Sequence, residues 1–140
     1  MKPKPYPMND ESYIKPFLKW AGGKRRLLPE IRKRLPEDIK DCLCCEPFIG
    51  GGAVLLDLQP KRAIINDCNC ELINCFQMVK QSPEKLVKEL ETYENTPEFF
   101  YSIRSLDQQP GLHALTDIQR AARIIYLNRT CFNGLYRVNS

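Results

Sequence analysis

Residues 44–67 read CCEPFIGGGAVLLDLQPKRAIIND, and the three consecutive glycines in that stretch constrain the fold more than anything else in the chain. A short β-prone run, 42–48, leads into the glycines. An apolar segment at 51–59 reads as a helix ended by Pro60, and a second β-prone run, 62–67, closes on Asn66-Asp67. Strand, glycine turn, helix, strand and acid make one mononucleotide-binding βαβ half, so the expected class is α/β with a parallel sheet. Glycine lets the main chain turn tightly and approach a ligand with no Cβ in the way. An acid closing the second strand lies beside the end of the first, placed to accept hydrogen bonds from ribose hydroxyls.

The pattern departs from the dinucleotide fingerprint in two ways. G-x-G-x-x-G would need glycine at 50, 52 and 55, and position 55 is leucine; Asp67 follows Gly52 by fifteen residues, short of the usual spacing. A nucleoside without phosphates fits better than a pyrophosphate. The segment KWAGGKRR (19–26) suggests a P-loop but fails as one, because no glycine stands five residues before Gly23 and Arg25 occupies the Ser/Thr position. What survives is two glycines, Lys24 and an indole. Glycine N–H groups with a fixed cation suit a carboxylate, and Trp20 either packs on a ligand or belongs to the core.

Elsewhere the periodicity is helical. After the glycines at 22–23, the helix is expected to begin near Pro29. Residues 70–81 form a helix with Asn69 as cap, 83–93 open on Pro83 after Ser82, and 97–106 and 116–129 are helices, the last capped by Thr116 or Asp117. QQPG (108–111) is a turn, and FNGLYRVNS (132–140) has the Asn-Gly of a hairpin followed by a strand-like run. The expected division is a flexible leader at 1–14, an α/β cofactor-binding part at 15–82 and a helical part at 83–140.

Charge is uneven. Residues 1–40 carry eleven Lys and Arg against five Asp and Glu, residues 41–111 six against eleven, and residues 112–140 four against one. Basic ends around an acidic middle suit a polyanion, although an uneven solvated surface reads the same way. No run of eighteen apolar residues exists to span a membrane, and the polar, proline-rich start MKPKPYPMNDESY lacks a secretory segment, so a cytoplasmic location is expected. Seven cysteines, an odd number in such a chain, argue against disulfides. Cys42 and Cys45 have C-x-x-C spacing, but Cys68, Cys70 and Cys75 supply no second knuckle; the thiols read as small apolar groups, and no metal is expected.

Four ordered segments, FLKWAGGK, EPFIGGGAV, INDCNCELI and LNRTCFNGLYRVN, resemble the DNA adenine methyltransferases of the Dam type, over about Lys15 to Ser140. The resemblance implies a partial Rossmann-like methyltransferase sheet with a helical insertion and the start of a DNA-recognition hairpin. It implies S-adenosylmethionine as cofactor and double-stranded DNA as partner. Carried over position by position, Trp20 and Lys24 contact the cofactor, Asp67 binds its adenosine part, and Phe48, Gly50 and Gly52 approach its methionine part. In the last motif Phe132 would stack, Asn133 and Leu135 would contact or wedge the duplex, and Arg137 would make a bidentate contact to guanine; by itself Asn-Gly is simply a hairpin turn.

One family motif is missing. The D-P-P-Y segment supplies a carboxylate and a carbonyl for the hydrogens of adenine's exocyclic amine, and a tyrosine that stacks on the extruded base. This sequence contains no Pro-Pro. No catalytic residue is therefore assigned, and the expectation is an N-terminal portion of such an enzyme, inactive alone, for a short site such as GATC. Two other readings stand beside it: a non-catalytic fragment that holds cofactor or DNA, with a separate C-terminal catalytic fragment as partner, and a zinc-and-DNA module resting on the cysteines alone.

Overall fold

A computed structural model describes residues 14–108, 112 and 114–134. The expected leader at 1–14 lies outside these apart from Ile14, as do most of the 108–111 turn and the strand-like run after Gly134. The chain divides into two compact units, residues 1–68 and 69–140.

In the first unit a 3-10 turn over Lys24–Leu27 runs into α1 (Leu28–Arg32), with Pro29 in its first turn. Then come β1 (Leu43–Glu46), α2 (Ala53–Leu58) and β2 (Arg62–Ile65). The strands pair in parallel, Leu43 opposite Arg62 and Glu46 opposite Ile65, so the βαβ unit is present. Beyond the strands the ladder continues, with Asn66 N donating to Glu46 O and Ile49 N to Asn66 O, both at 2.9 Å. Helix α2 ends at Gln59, which takes a left-handed conformation (φ 46°) directly before Pro60. Leu18, Leu28, Ile39, Ile49, Ala53 and Leu58 form the core of this unit. Arg32 clamps the buried Asp57 carboxylate with two donors, one at 2.8 Å, tying α1 to α2.

The second unit is helical: α3 (Cys70–Gln81), α4 (Pro83–Glu91), α5 (Pro97–Ser105), a 3-10 turn over Leu106–Gln108, α6 (Asp117–Thr130) and a final 3-10 turn, Phe132–Gly134. The caps are where side-chain chemistry requires them. Asn69 accepts from Leu72 N at 3.0 Å, Thr96 from Phe99 N at 3.2 Å, and Thr116 forms a capping box with Gln119. Leu72, Cys75 and Met78 of α3, Leu86 of α4 and Ala121, Ala122, Ile124 and Leu127 of α6 are its buried apolar residues. Tyr93, Phe99 and Tyr126 pack edge to face with centroids 5.2–5.6 Å apart. Helix α3 packs with the later helices: Cys75 reaches Ala121 O, Asn74 reaches Asp117 O and Glu71 pairs with Arg120.

Burial, and secondarily the charge of Glu71, push the Cys75 thiol up to about 12. At pH 8 it should remain unalkylated by iodoacetamide in the folded chain while exposed Cys45, Cys68 and Cys70 react, as peptide mass spectrometry would show. Equal labelling of Cys75 would contradict this packing.

Candidate functional site

The glycines divide their work. Gly50 (φ 53°) and Gly52 (φ 77°) take left-handed conformations that carry the chain from β1 into α2. Gly51 is needed for closeness instead: a Cβ there would lie 3.0 Å from the Leu18 carbonyl oxygen and 3.5 Å from Trp20 Cβ. The FLKW segment thus lies directly on the turn. A Cβ at Gly50 would stand 3.3 Å from Trp20 Cδ1, so the half-buried indole lies against the same loop.

Asp67, just past β2, faces this turn. The Gly50 N–H donates to its Oδ2 at 2.9 Å, and the Cys68 thiol lies 3.5 Å from Oδ1. One carboxylate therefore ties the end of the second strand to the glycine turn after the first.

Lys24 is not the open cation its motif suggests. Its ammonium donates to Glu46 Oε1 at 2.6 Å and to the Phe48 carbonyl. Glu46, the last residue of β1, is only 7% exposed, and its Oε2 is buried with no hydrogen-bond partner among the described residues. Buried charged oxygens almost always have partners in native folds, whether protein groups, water or ligand. Burial and then the Glu46 charge also raise the Cys44 thiol above its ordinary value. Phe48 projects outward, 70% exposed.

Trp20, Lys24, Phe48, Gly50, Gly52 and Asp67 thus meet around the carboxyl ends of β1 and β2, all within the first unit. Glu46 is the residue that sequence reasoning passed over. Its signal was an acid closing an otherwise apolar strand, LCCE, directly before Pro47. Of the other predicted set, Phe132 is 90% exposed on the turn that follows α6, a turn closed by Gly134 N donating to Cys131 O at 2.8 Å. Leu135 and Arg137 lie outside the described residues, as does the side chain of Asn133. No group of three or more His, Cys, Asp or Glu among the described residues is placed to hold a metal ion. No helix among the described residues is long and apolar enough to cross a membrane.

A parallel βαβ unit with a glycine turn and an acid at its strand ends is the architecture of α/β proteins that bind nucleotides and nucleosides at the carboxyl edge of the sheet. Comparison with known proteins narrows this. The chain belongs to the D12 class N6 adenine-specific DNA methyltransferase family, whose model matches residues 20–140. It is 47% identical over 129 residues to the Type II methyltransferase M1.LlaDCHI of Lactococcus lactis subsp. cremoris, covering 91% of this chain and 45% of the relative. It is 40% identical over 142 residues to the Type II methyltransferase M.MjaIII of Methanocaldococcus jannaschii, covering 90% and 49%. With the DNA adenine methylase of Haemophilus influenzae it shares 39% identity over 146 residues, 100% of this chain and 49% of the relative. The chain spans about half the length of these curated relatives.

Proposed function

We propose that this chain provides the cofactor-holding and DNA-reading part of a site-specific adenine methyltransferase that uses S-adenosylmethionine and acts on a short duplex sequence such as GATC, within a Rossmann-like sheet. The observation that carries the reading is the pairing of Asp67 with the Gly50 turn beside a buried, partly unsatisfied Glu46.

Charge at the strand ends supports this ligand over its competitors. Asp67 and Glu46 contribute two negative charges and Lys24 one positive charge already committed to Glu46. That balance repels a pyrophosphate and suits a sulfonium nucleoside bearing an ammonium. Asp67, an acid at the end of the second strand, is the residue type that accepts from ribose hydroxyls, and Glu46 Oε2 is the acceptor proposed for an ammonium. The Trp20 indole and the exposed Phe48 ring offer flat apolar surface, and Lys24 is near enough to the glycine turn to steer a carboxylate. When bound, the cofactor supplies an electrophilic methyl group; the protein's contribution is position. The family description and the Haemophilus relative's name support adenine and DNA as the target, and Phe132, Asn133, Leu135 and Arg137 are proposed to read the duplex, with Arg137 on a guanine edge. Because the sequence has no D-P-P-Y, this chain by itself is expected to hold cofactor without turning it over.

Calorimetric titration with S-adenosylmethionine tests the site. Wild type should bind, Asp67→Ala should release little or no heat, and ATP should bind neither. Equal heats for wild type and Asp67→Ala, or a preference for ATP, would overturn the assignment.

A further inference from the structure

Three consecutive residues at the entrance to the glycine turn are each fixed by a hydrogen bond to another segment. Ile49 N donates to Asn66 O and Gly50 N to Asp67 Oδ2, both at 2.9 Å, so two of the bonds come from just past β2. The third is of a different kind. The Phe48 carbonyl accepts from the Lys24 ammonium, which also donates to Glu46 Oε1 at 2.6 Å. One cation therefore bridges the main chain of Phe48 and the side chain of Glu46.

The sheet does not hold this stretch by itself. Asn66 bonds both Glu46 O and Ile49 N, which leaves Pro47 and Phe48 outside the ladder between them. Pro47 has no N–H to contribute, and both residues are exposed, so burial does not fix them either. Lys24 reaches them because the chain turns back just before it. Gly23 N donates to Trp20 O at 3.2 Å, with Gly22 left-handed (φ 73°) at the third position of that turn. The bond to the buried Glu46 carboxylate is charge-assisted, which fixes where the ammonium sits.

We infer that Lys24 is a positioning residue: it clips the Phe48 carbonyl to Glu46 and so sets the backbone that presents the Gly50 N–H to Asp67. A lysine that serves only the carboxylate of a ligand affects the amino-acid half of that ligand alone. A clip on the glycine turn affects the adenosine half as well, without touching it. Only the binding arm of the test rests on the cofactor reading.

In the ligand-free chain, Lys24→Met should speed hydrogen exchange of the Ile49, Gly50 and Gly52 amides by about ten-fold or more, while peptides from α1 and α2 keep wild-type protection. Where the stranded Glu46 carboxylate unfolds that variant, the double variant Lys24→Met, Glu46→Gln removes the buried charge too and should show the same local loss. In calorimetry, Lys24→Met should weaken binding of both S-adenosylmethionine and methylthioadenosine, which has no amino-acid chain, by roughly ten-fold. Unchanged exchange over residues 48–52 in both variants would overturn the inference, as would methylthioadenosine binding Lys24→Met as tightly as wild type. A wild type that binds neither ligand would sink the cofactor reading instead, and the exchange arm then decides the clip alone.

Discussion

Replacing Arg123 by Ala should cost the helical unit about 3–5 kcal/mol of stability, read from the urea midpoint of the far-UV ellipticity. Arg123 is 1% exposed on α6, where a cation is tolerated only if every donor is used. Its Nε donates to the Ile103 carbonyl at 2.8 Å and one terminal nitrogen to the Arg104 carbonyl at 3.0 Å, while Asp107 lies 3.4 Å away. Those carbonyls belong to the last turn of α5, whose oxygens have no acceptor role within their own helix. The guanidinium thus caps α5 from a neighbouring helix and sets a positive charge at the negative end of its dipole. Alanine leaves both carbonyls unpaired and a cavity behind. Arg123→Lys should fall in between, since a single ammonium lacks the planar fork that reaches two acceptors. Asp107→Asn should cost less than about 1 kcal/mol, because that side chain is a quarter exposed and its pairing is long. A loss below about 1 kcal/mol for Arg123→Ala would mean that α5 is held by the Tyr93, Phe99 and Tyr126 cluster instead.

What the sequence made legible was local. Asn69 and Thr116 cap helices through bonds three residues long, and Pro83 opens a helix that needs no N–H at that position. The glycine turn was equally readable, because left-handed backbone at Gly50 and Gly52 is a property of those residues alone. What stayed hidden depends on partners far along the chain. Lys24 finds Glu46 across twenty-two residues, Arg32 finds Asp57 across twenty-five, and Arg120 finds Glu71 across forty-nine. Lys33, just past α1, stays solvated, whereas Arg123 inside α6 is buried against carbonyls about twenty residues away. Gly51 shows the same limit, since its need for glycine comes from the distant Leu18 carbonyl and not from its own backbone angles. The grouping of α3 with α6 is likewise set by tertiary bonds from Cys75 and Asn74 that no helical periodicity encodes.

Glu46→Gln should weaken binding of S-adenosylmethionine by about 2–5 kcal/mol, roughly thirty-fold to several-thousand-fold in Kd, while leaving the free protein as stable as before or more so. The two effects have opposite signs because Glu46 is half used. Its Oε1 serves Lys24, and an amide oxygen keeps that bond in weaker, uncharged form while the ammonium, a third exposed, stays solvated. Its Oε2 is desolvated with no partner among the described residues, so removing its charge relieves a cost in the unliganded fold. If that oxygen is kept for a cation on the ligand, the relief comes at the expense of affinity, the trade expected where a site is built ahead of its ligand. A purely structural Glu46 predicts the reverse pairing: a lower urea midpoint for the glutamine variant and unchanged affinity. Asp67→Asn provides the contrast, since its amide oxygen can keep the Gly50 N–H bond while the charge is lost. A drop for Glu46→Gln with S-adenosylmethionine that vanishes with an adenosine analogue lacking the amino-acid chain would place the missing partner on the ammonium. A similar drop at Asp67→Asn that persists with that analogue would place its contacts on the ribose. The same analogue response for both variants would show instead that the two carboxylates act only as summed negative charge.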